Sequence, residues 1–307
     1  MEKRVYGVLG ISSIMANWNA DFTGYPKTTS DGTTFGSDKA LKYPMKKMWE
    51  NEGEKVLYIK SMKLVEKEKG EIAFLPNTLR ERYEFLFQDT DLKDSKKVLA
   101  NLMRAVDVKN FGATFAEAGN NIAITGAVQI GQGFNKYEGT WAEEQQILSP
   151  FRDPKDDDAK SSTLGSKIVS NEAHYFYPFV INPEAYRELV QLGVTKGYTE
   201  EDYQNFRRTA LVSATAFATN SKEGCENEFA LFVETRPKVY LPNLSEYINF
   251  YKKQNKNVIQ LKFADLLCEM EDGLERVDIY YNPYTTELKG VYERANLYDI
   301  RTLKEVK

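Results

Sequence analysis

Four lysines, Lys39, Lys42, Lys46 and Lys47, follow Ser37-Asp38 in the run SDKALKYPMKKMWENEG. Ser37 or Asp38 can cap a helix that continues to about Glu52, with Gly53 as its stop. On such a helix Lys39, Lys42 and Lys46 recur at the i, i+3, i+7 spacing with Lys47 beside them. Leu41, Met45, Met48 and Trp49 fall on the opposite face. A row of ammonium groups close to positive N-terminal amides suits phosphates; the same spacing also describes an ordinary solvated face. Pro44 removes one helix hydrogen bond and predicts a kink.

The residue types that cleave or transfer bonds are sparse. His174 is the single histidine and stands in a strand-like run between Ala173 and Tyr175, so a triad or metal cluster has no sequence support and a structural or hydrogen-bonding role is the better reading. Cys225 and Cys268 lie far apart without CxxC or histidine spacing, which argues against a disulfide framework and against zinc. No phosphate-binding G-x-x-x-x-G-K-[ST] loop occurs, and the Gly131-Gln132-Gly133 triplet is not followed by a helix opening. Asp21, Asp31 and Asp38 could hold Mg²⁺, but such spacing is common in polar loops. What survives is a binding surface rather than a reaction centre.

Composition sets the limits of that surface. The chain has 307 residues, enough for one large or two modest domains, with 41 basic against 45 acidic side chains. Any affinity for nucleic acid must therefore come from local basic patches. Lys3-Arg4 before Val5–Ala16 has the outline of a signal peptide, but Tyr6, Gly7, Gly10, Ser12 and Ser13 dilute its apolar part. A buried first strand, Arg4–Ile14, is the better reading. No stretch is long or apolar enough to span a membrane.

The element expected to organise the chain is Val108–Gly133. Its apolar runs Asn110–Phe115 and Ile122–Ile130 flank Glu117-Ala118-Gly119-Asn120-Asn121, a hairpin signal. The second run alternates Ile122, Ile124, Gly126, Val128 and Ile130 with Ala123, Thr125, Ala127 and Gln129, giving one apolar face and one small, amide-bearing face. Between strand one and the lysine helix lies a polar loop, Asn17–Gly36, of a length that is usually functional or mobile. Residues 56–106 read as an insert with helices at Thr78–Phe87 and Ser95–Val106. Lys136–Ser170, with SPFRDPKDDDAKSSTLGSK, projects or is partly disordered. A helix at Thr199–Thr219 and a strand at Glu228–Glu234 follow. Strand, helix, two hairpin strands, helix, strand is the ferredoxin-like α+β order with large insertions. Lys238–Lys307 adds a helix around Leu244–Lys253 and a tyrosine-rich accessory layer. Tyr6, Phe111 and Phe115 could be base-stacking platforms of such a sheet, or core residues.

At four places the sequence resembles a known family: VYGVLGISSIMANWNADF; GTTFGSDKALKYPMKK; RAVDVKNFGATF followed by ITGAVQIGQGF; and SKIVSNEAHYFYPFVINP. Together they resemble the backbone subunit of the type I CRISPR surveillance complex, Cascade, the seventh Cas protein family of the RAMP superfamily, with subtype I-B nearest. Asn17-x-Asn19-x-Asp21 departs from the Asn-Gly-Asp-Pro form of neighbouring branches. The resemblance implies a hand-shaped, cytoplasmic protein that polymerises along crRNA without a cofactor. Its partners would be crRNA, a target DNA strand, further copies of itself and other Cascade subunits, with no membrane. It implies a modified RNA-recognition palm at residues 1–55, 107–135 and 171–236, helical fingers at 56–106, a β-hairpin thumb at 136–170 and an accessory segment at 237–307. Sequence reading would be left to base pairing while the protein holds phosphate and sugar.

By that resemblance Lys39, Lys42, Lys46 and Lys47 hold phosphates. Asn17 and Asn19, and Gln129, Gly131 and Gln132 on the palm, touch backbone or ribose. Arg152, Lys155 and Lys167 contact guide or target strand. The alternative is a type III-like endoribonuclease that cleaves target RNA with a loop aspartate, Asp21 or Asp31. A third is a solitary RNA-binding module.

Overall fold

A computed structural model describes residues 1–67, 70–148, 164–254 and 256–306. The first strand, β1 (Arg4–Ala16), is buried along most of its length, as its apolar run predicts. Val5, Leu9 and Ile11 feed one hydrophobic core, and Tyr6 and Val8 feed a second. This strand therefore separates two layers rather than covering one.

β2 (Phe35–Gly36) closes the first loop and leads into α1 (Asp38–Asn51), capped by Ser37 as the sequence indicates. Leu41, Pro44, Met45 and Trp49 form its buried side. Next come β3 (Met62–Glu66), β4 (Ile72–Pro76), α2 (Leu79–Phe87), α3 (Ser95–Leu102) and α4 (Val106–Phe111). The two expected helices of this insert are present, and Thr78 and Glu81 make a full capping box on α2. β3 and β4 add an antiparallel hairpin that the helices read from the sequence do not include.

The expected hairpin at Val108–Gly133 is built differently. Asn110 and Phe111 end α4, and only β5 (Gly112–Phe115) and β6 (Ile122–Thr125) pair with each other. Gly126 then breaks the second run, because a side chain there would sit 2.3 Å from the Asn110 carbonyl oxygen. β7 (Val128–Ile130) and β8 (Gly133–Asn135) leave the hairpin and pair with a later strand. After β9 (Ala142–Leu148), that strand is β10 (Leu164–Ile181), 18 residues long. Its first part pairs with β9 from Leu164↔Leu148 to Ser170↔Ala142, making the stem of a projecting hairpin. Its second part lies between β1 and β7/β8.

The chain continues through α5 (Arg187–Gln191), α6 (Glu200–Ala216) and β11 (Cys225–Thr235). It ends with β12 (Ile248–Lys253), β13 (Lys256–Leu261), α7 (Ala264–Glu269), β14 (Leu274–Tyr281), β15 (Thr286–Lys289) and β16 (Asn296–Asp299). The expected helix around Leu244–Lys253 is absent: one 3-10 turn at Leu244–Tyr247 passes into β12, where Ile248 and Phe250 are buried and alternate with exposed residues. The tyrosine-rich DIYY lies in β14, inside the main sheet.

Among the described residues, nine strands form one sheet in the order β16-β14-β11-β1-β10-β8-β2, with β7 and β9 also on β10. α1 and α6 pack on one face, where Tyr203, Phe206, Ala210 and Ala214 of α6 meet the β1 core. The sheet β12-β13-β15 packs on the other face over Phe176, Phe229 and Leu231.

Candidate nucleic-acid interface

The first loop is ordered by its own side chains. Asp21 accepts hydrogen bonds from Thr23 N at 2.8 Å, Thr23 Oγ1 at 2.7 Å and Tyr25 N at 3.1 Å. The Thr23 hydroxyl, followed by backbone amides, holds its carboxyl below the usual range. Asp31 is bonded in the same way by the Thr29 hydroxyl and by Thr33 N at 3.1 Å. Both aspartates are thus engaged as turn caps. Among the described residues no group of three or more His, Cys, Asp or Glu side chains is placed to hold a metal ion.

Asn17 and Asn19 bind the loop to its surroundings. Asn17 is only 4% exposed, and its amide donates to the carbonyls of Gly24 at 2.9 Å and Ile168 at 3.1 Å. That burial leaves it no surface for a ribose, so it ties the loop to the β9–β10 stem instead. Asn19 Oδ1 accepts the amide of Ser37 at 2.7 Å and so fixes the start of α1. Lys222, which no sequence pattern singles out, donates to the Asn17 carbonyl at 2.6 Å and to the Trp18 carbonyl. Lys167 reaches Asn220 Oδ1 at 3.4 Å from the stem. Asn17, Asn19, Lys167 and Lys222 therefore converge where the loop crosses the stem, and Ser37 connects that corner to Lys39.

The α1 lysines are not four equivalent cations. Lys39 is exposed, and it alone of the four is held by no described carboxylate. Lys42 pairs with Asp38 at 2.8 Å and lies 5.1 Å from the Phe111 ring centroid. Lys47 pairs with Glu50 at 2.7 Å. Lys46 lies 3.4 Å from Asp107 and donates to the Tyr58 carbonyl at 3.1 Å. Asp107 in turn accepts the amides of Leu57 and Tyr58, each at 2.8 Å. Burial lowers the Lys46 ammonium's pKa, and Asp107 opposes that shift. Lys46 is thus partly a structural pin between α1 and the insert.

Gln129, Gly131 and Gln132 stand elsewhere. Val128 and Ile130 point into the core under α1, so the intervening Gln129 points to the opposite face of the sheet. There Gln129 and Gly131 line a cleft of about 280 Å³ with Tyr6, Pro178 and Leu241. Gln132 is exposed in the turn between β7 and β8. The lysine row and the amide strand, expected to share one surface, are on opposite sides of the sheet. Arg152 and Lys155 lie outside the described residues. Of the aromatic candidates, Tyr6 and Phe115 are core residues, and Phe111 is partly buried between Trp49 and the Lys42 and Lys46 side chains.

His174 has the hydrogen-bonding role read from the sequence, with partners the sequence reading missed. Its Nδ1 meets the two Glu228 oxygens at 2.9 and 2.8 Å, and its Nε2 lies 3.0 Å from Glu172. Glu172 was detectable, since two residues apart on a strand means one shared face. Glu228 was not, because a register shift in the β1–β11 ladder brings it round. No described helix is long and apolar enough to cross a membrane.

Comparison with known proteins gives three results. The family model described as CRISPR-associated protein Cas7 matches residues 3–270. No curated protein matches the sequence. A chain of a solved "CRISPR RNA-guided surveillance complex, pre-nicking" shares the fold, with a TM-score of 0.58 and 17% identity over 96% of both chains. Another, from a "CRISPR RNA-guided surveillance complex", has a TM-score of 0.47 at 17% identity, over 93% of this chain and 95% of that one.

Proposed function

Because the chain belongs to the CRISPR-associated Cas7 family, we propose that it is the repeated, non-catalytic backbone subunit of a type I surveillance complex, polymerising in the cytoplasm along crRNA. The observation that carries this reading is the family match across residues 3–270, from β1 through α7. In this reading β11-β1-β10-β8, all antiparallel neighbours, are the four strands of a ferredoxin-like palm, with α1 and α6 as its helices. The palm's two middle-sequence strands are then β7/β8 and β10, not the arms of the β5–β6 hairpin. Residues 56–106 are the fingers, and the β9–β10 hairpin is the thumb.

The geometry favours a grip on the RNA backbone that runs from the thumb stem, past Lys167 and Lys222, along the first loop to Lys39 and Lys42. These are point charges for phosphates rather than base-reading forks. Bases left free would pair with a target DNA strand, as in RNA-guided complexes generally. Other subunits would cap the filament. The engaged carboxylates of Asp21 and Asp31 lend no support to the endoribonuclease alternative.

The test is to purify the protein from its native host and analyse the nucleic acid it carries. RNA of uniform length, released by added salt, is the expected result. Protein free of RNA, or carrying fragments of random length, would count against the proposal.

A further inference from the structure

Between the part of β10 that pairs with β9 and the part that pairs with β8, residues 171–174 have no ladder partner on that edge. The gap falls where the hairpin stem meets the sheet. Two backbone bonds, from Asn171 N to the Trp141 carbonyl at 3.0 Å and from Lys136 N to the His174 carbonyl at 2.9 Å, cross the gap, and side chains fill the rest of it. Asn135 Oδ1 accepts the His174 amide at 2.8 Å, Thr140 Oγ1 donates to the Glu172 carbonyl at 2.6 Å, and Asn171 Oδ1 accepts the Trp141 amide at 2.7 Å. β1 is irregular at the same level, with Met15 at φ 48°. A strand pair interrupted on one side and strained on the other is where a hinge would form.

The same four residues send two side chains to the other face. Glu172 and His174 both point under the β12–β13 layer. His174 is fully buried and stacks on Phe250 with ring centroids 3.8 Å apart, with Tyr137 edge-on at 5.8 Å. Lys252 of β12 grips Glu172 at 2.7 and 2.8 Å. Glu228 reaches His174 from β11 through the bulge. Glu226 and Arg301 face the same cleft, of about 760 Å³, but neither touches the imidazole.

We infer that Glu228, His174, Glu172 and Lys252 form a charged brace, buried at Glu228 and His174 and open to solvent at Lys252, that fixes the angle at which the β9–β10 stem stands on the sheet, with His174 as its positioning residue. Three strands, β10, β11 and β12, meet in it; without His174 the buried Glu228 loses its cation, and without Glu172 both His174 and Lys252 lose a partner. Burial by itself would lower the His174 value, yet the Glu228 charge and the two carboxylate hydrogen bonds outweigh it and raise it to about 9, so the brace is charged at neutral pH. If the stem is the thumb of an RNA-bound filament, as proposed above, the brace sets the spacing of successive copies; that consequence rests on the proposed function, and the brace itself does not.

The experiment is amide hydrogen exchange on the full chain, comparing wild type with E172Q and H174Q. Both variants keep a hydrogen-bonding side chain, and E172Q lies at the cluster's edge should H174Q not fold. Exchange in residues 142–148 and 165–170 is expected to rise about tenfold, the scale of one lost charge-assisted contact. Exchange in Ala230–Val233 should stay unchanged. The wild-type stem should open in the same way above pH 9, once rates are corrected for pH, and the H174Q stem should show no such step. Unchanged stem protection in a folded variant, or equal loosening of stem and Ala230–Val233, would overturn the inference. RNA binding plays no part in this readout, so failure of the proposed function would show separately.

Discussion

Lys46→Ala and Lys42→Ala separate the structural use of α1 from its proposed use in holding RNA. The Lys46 ammonium lies 3.4 Å from Asp107 and 3.1 Å from the Tyr58 carbonyl, with 16% of the side chain exposed. Stripping a buried carboxylate of its partners costs about 3–5 kcal/mol. Asp107 keeps two backbone amides at 2.8 Å, however. The loss is then nearer a single charge-assisted contact, about 1.5–2 kcal/mol, or a fall in Tm of about 3–8 °C. Lys42→Ala removes an i,i+4 pair with Asp38 worth only about 0.3–0.5 kcal/mol, and Tm should move by about 2 °C at most. Its effect should appear instead in RNA affinity measured against salt, where one lost phosphate contact flattens the log–log slope by about 0.7. Asp38→Asn should act oppositely and tighten binding by freeing the Lys42 charge. Thermal melts and salt-titrated binding to single-stranded RNA test the set. A Lys46→Ala variant that melts with wild type would refute the structural role. Unchanged slope and affinity in Lys42→Ala would remove the helix from the RNA grip.

Three further outcomes follow from the same structure. Histidine in an unfolded chain titrates near 6.5, and His174 is raised to about 9. Its contribution is therefore complete below about pH 6.5 and lost as pH rises through 9, so Tm should drop between pH 7 and 10 in wild type and less in H174Q. Gly36→Ala would place a methyl 1.8 Å from the Tyr177 hydroxyl and 2.8 Å from the Trp18 ring. Urea unfolding should show a loss of about 3 kcal/mol or more, because both neighbours are buried and hydrogen-bonded to each other. Asp21→Ala should loosen the first loop to proteolysis without changing the integrity of complementary RNA incubated with Mg²⁺. Periodic cleavage by wild type, abolished in the variant, would contradict the non-catalytic reading.

Much of this architecture could be read from residue order. The β1 run, the Ser37 cap with its apolar stripe, and the helix at Thr199–Thr219, which the structure shows opening on a Thr199–Asp202 capping box, each declared their element, because local chemistry decides them. The β5–β6 hairpin shows the limit. Its arms were visible, but whether Val128–Ile130 stays with Ile122 or crosses to β10 depends on the close approach at Gly126 and on a partner more than forty residues later. Likewise, INFYKK alternates with a strand's period, yet its few apolar positions fit a helix equally well until β13 supplies a neighbour. For the site, the lysine types were legible and their partners were not. Asp107 and Glu228 come from distant segments, and they determine which cations remain free.

The central claim is that copies of this chain line up on a guide RNA. It is tested most directly by mass measurement of the protein with single-stranded RNAs of stepwise increasing length at low salt. The account predicts assemblies that gain one copy for each fixed increment of RNA and that dissociate as salt is raised. One mass, the same with every RNA and with none, would contradict it.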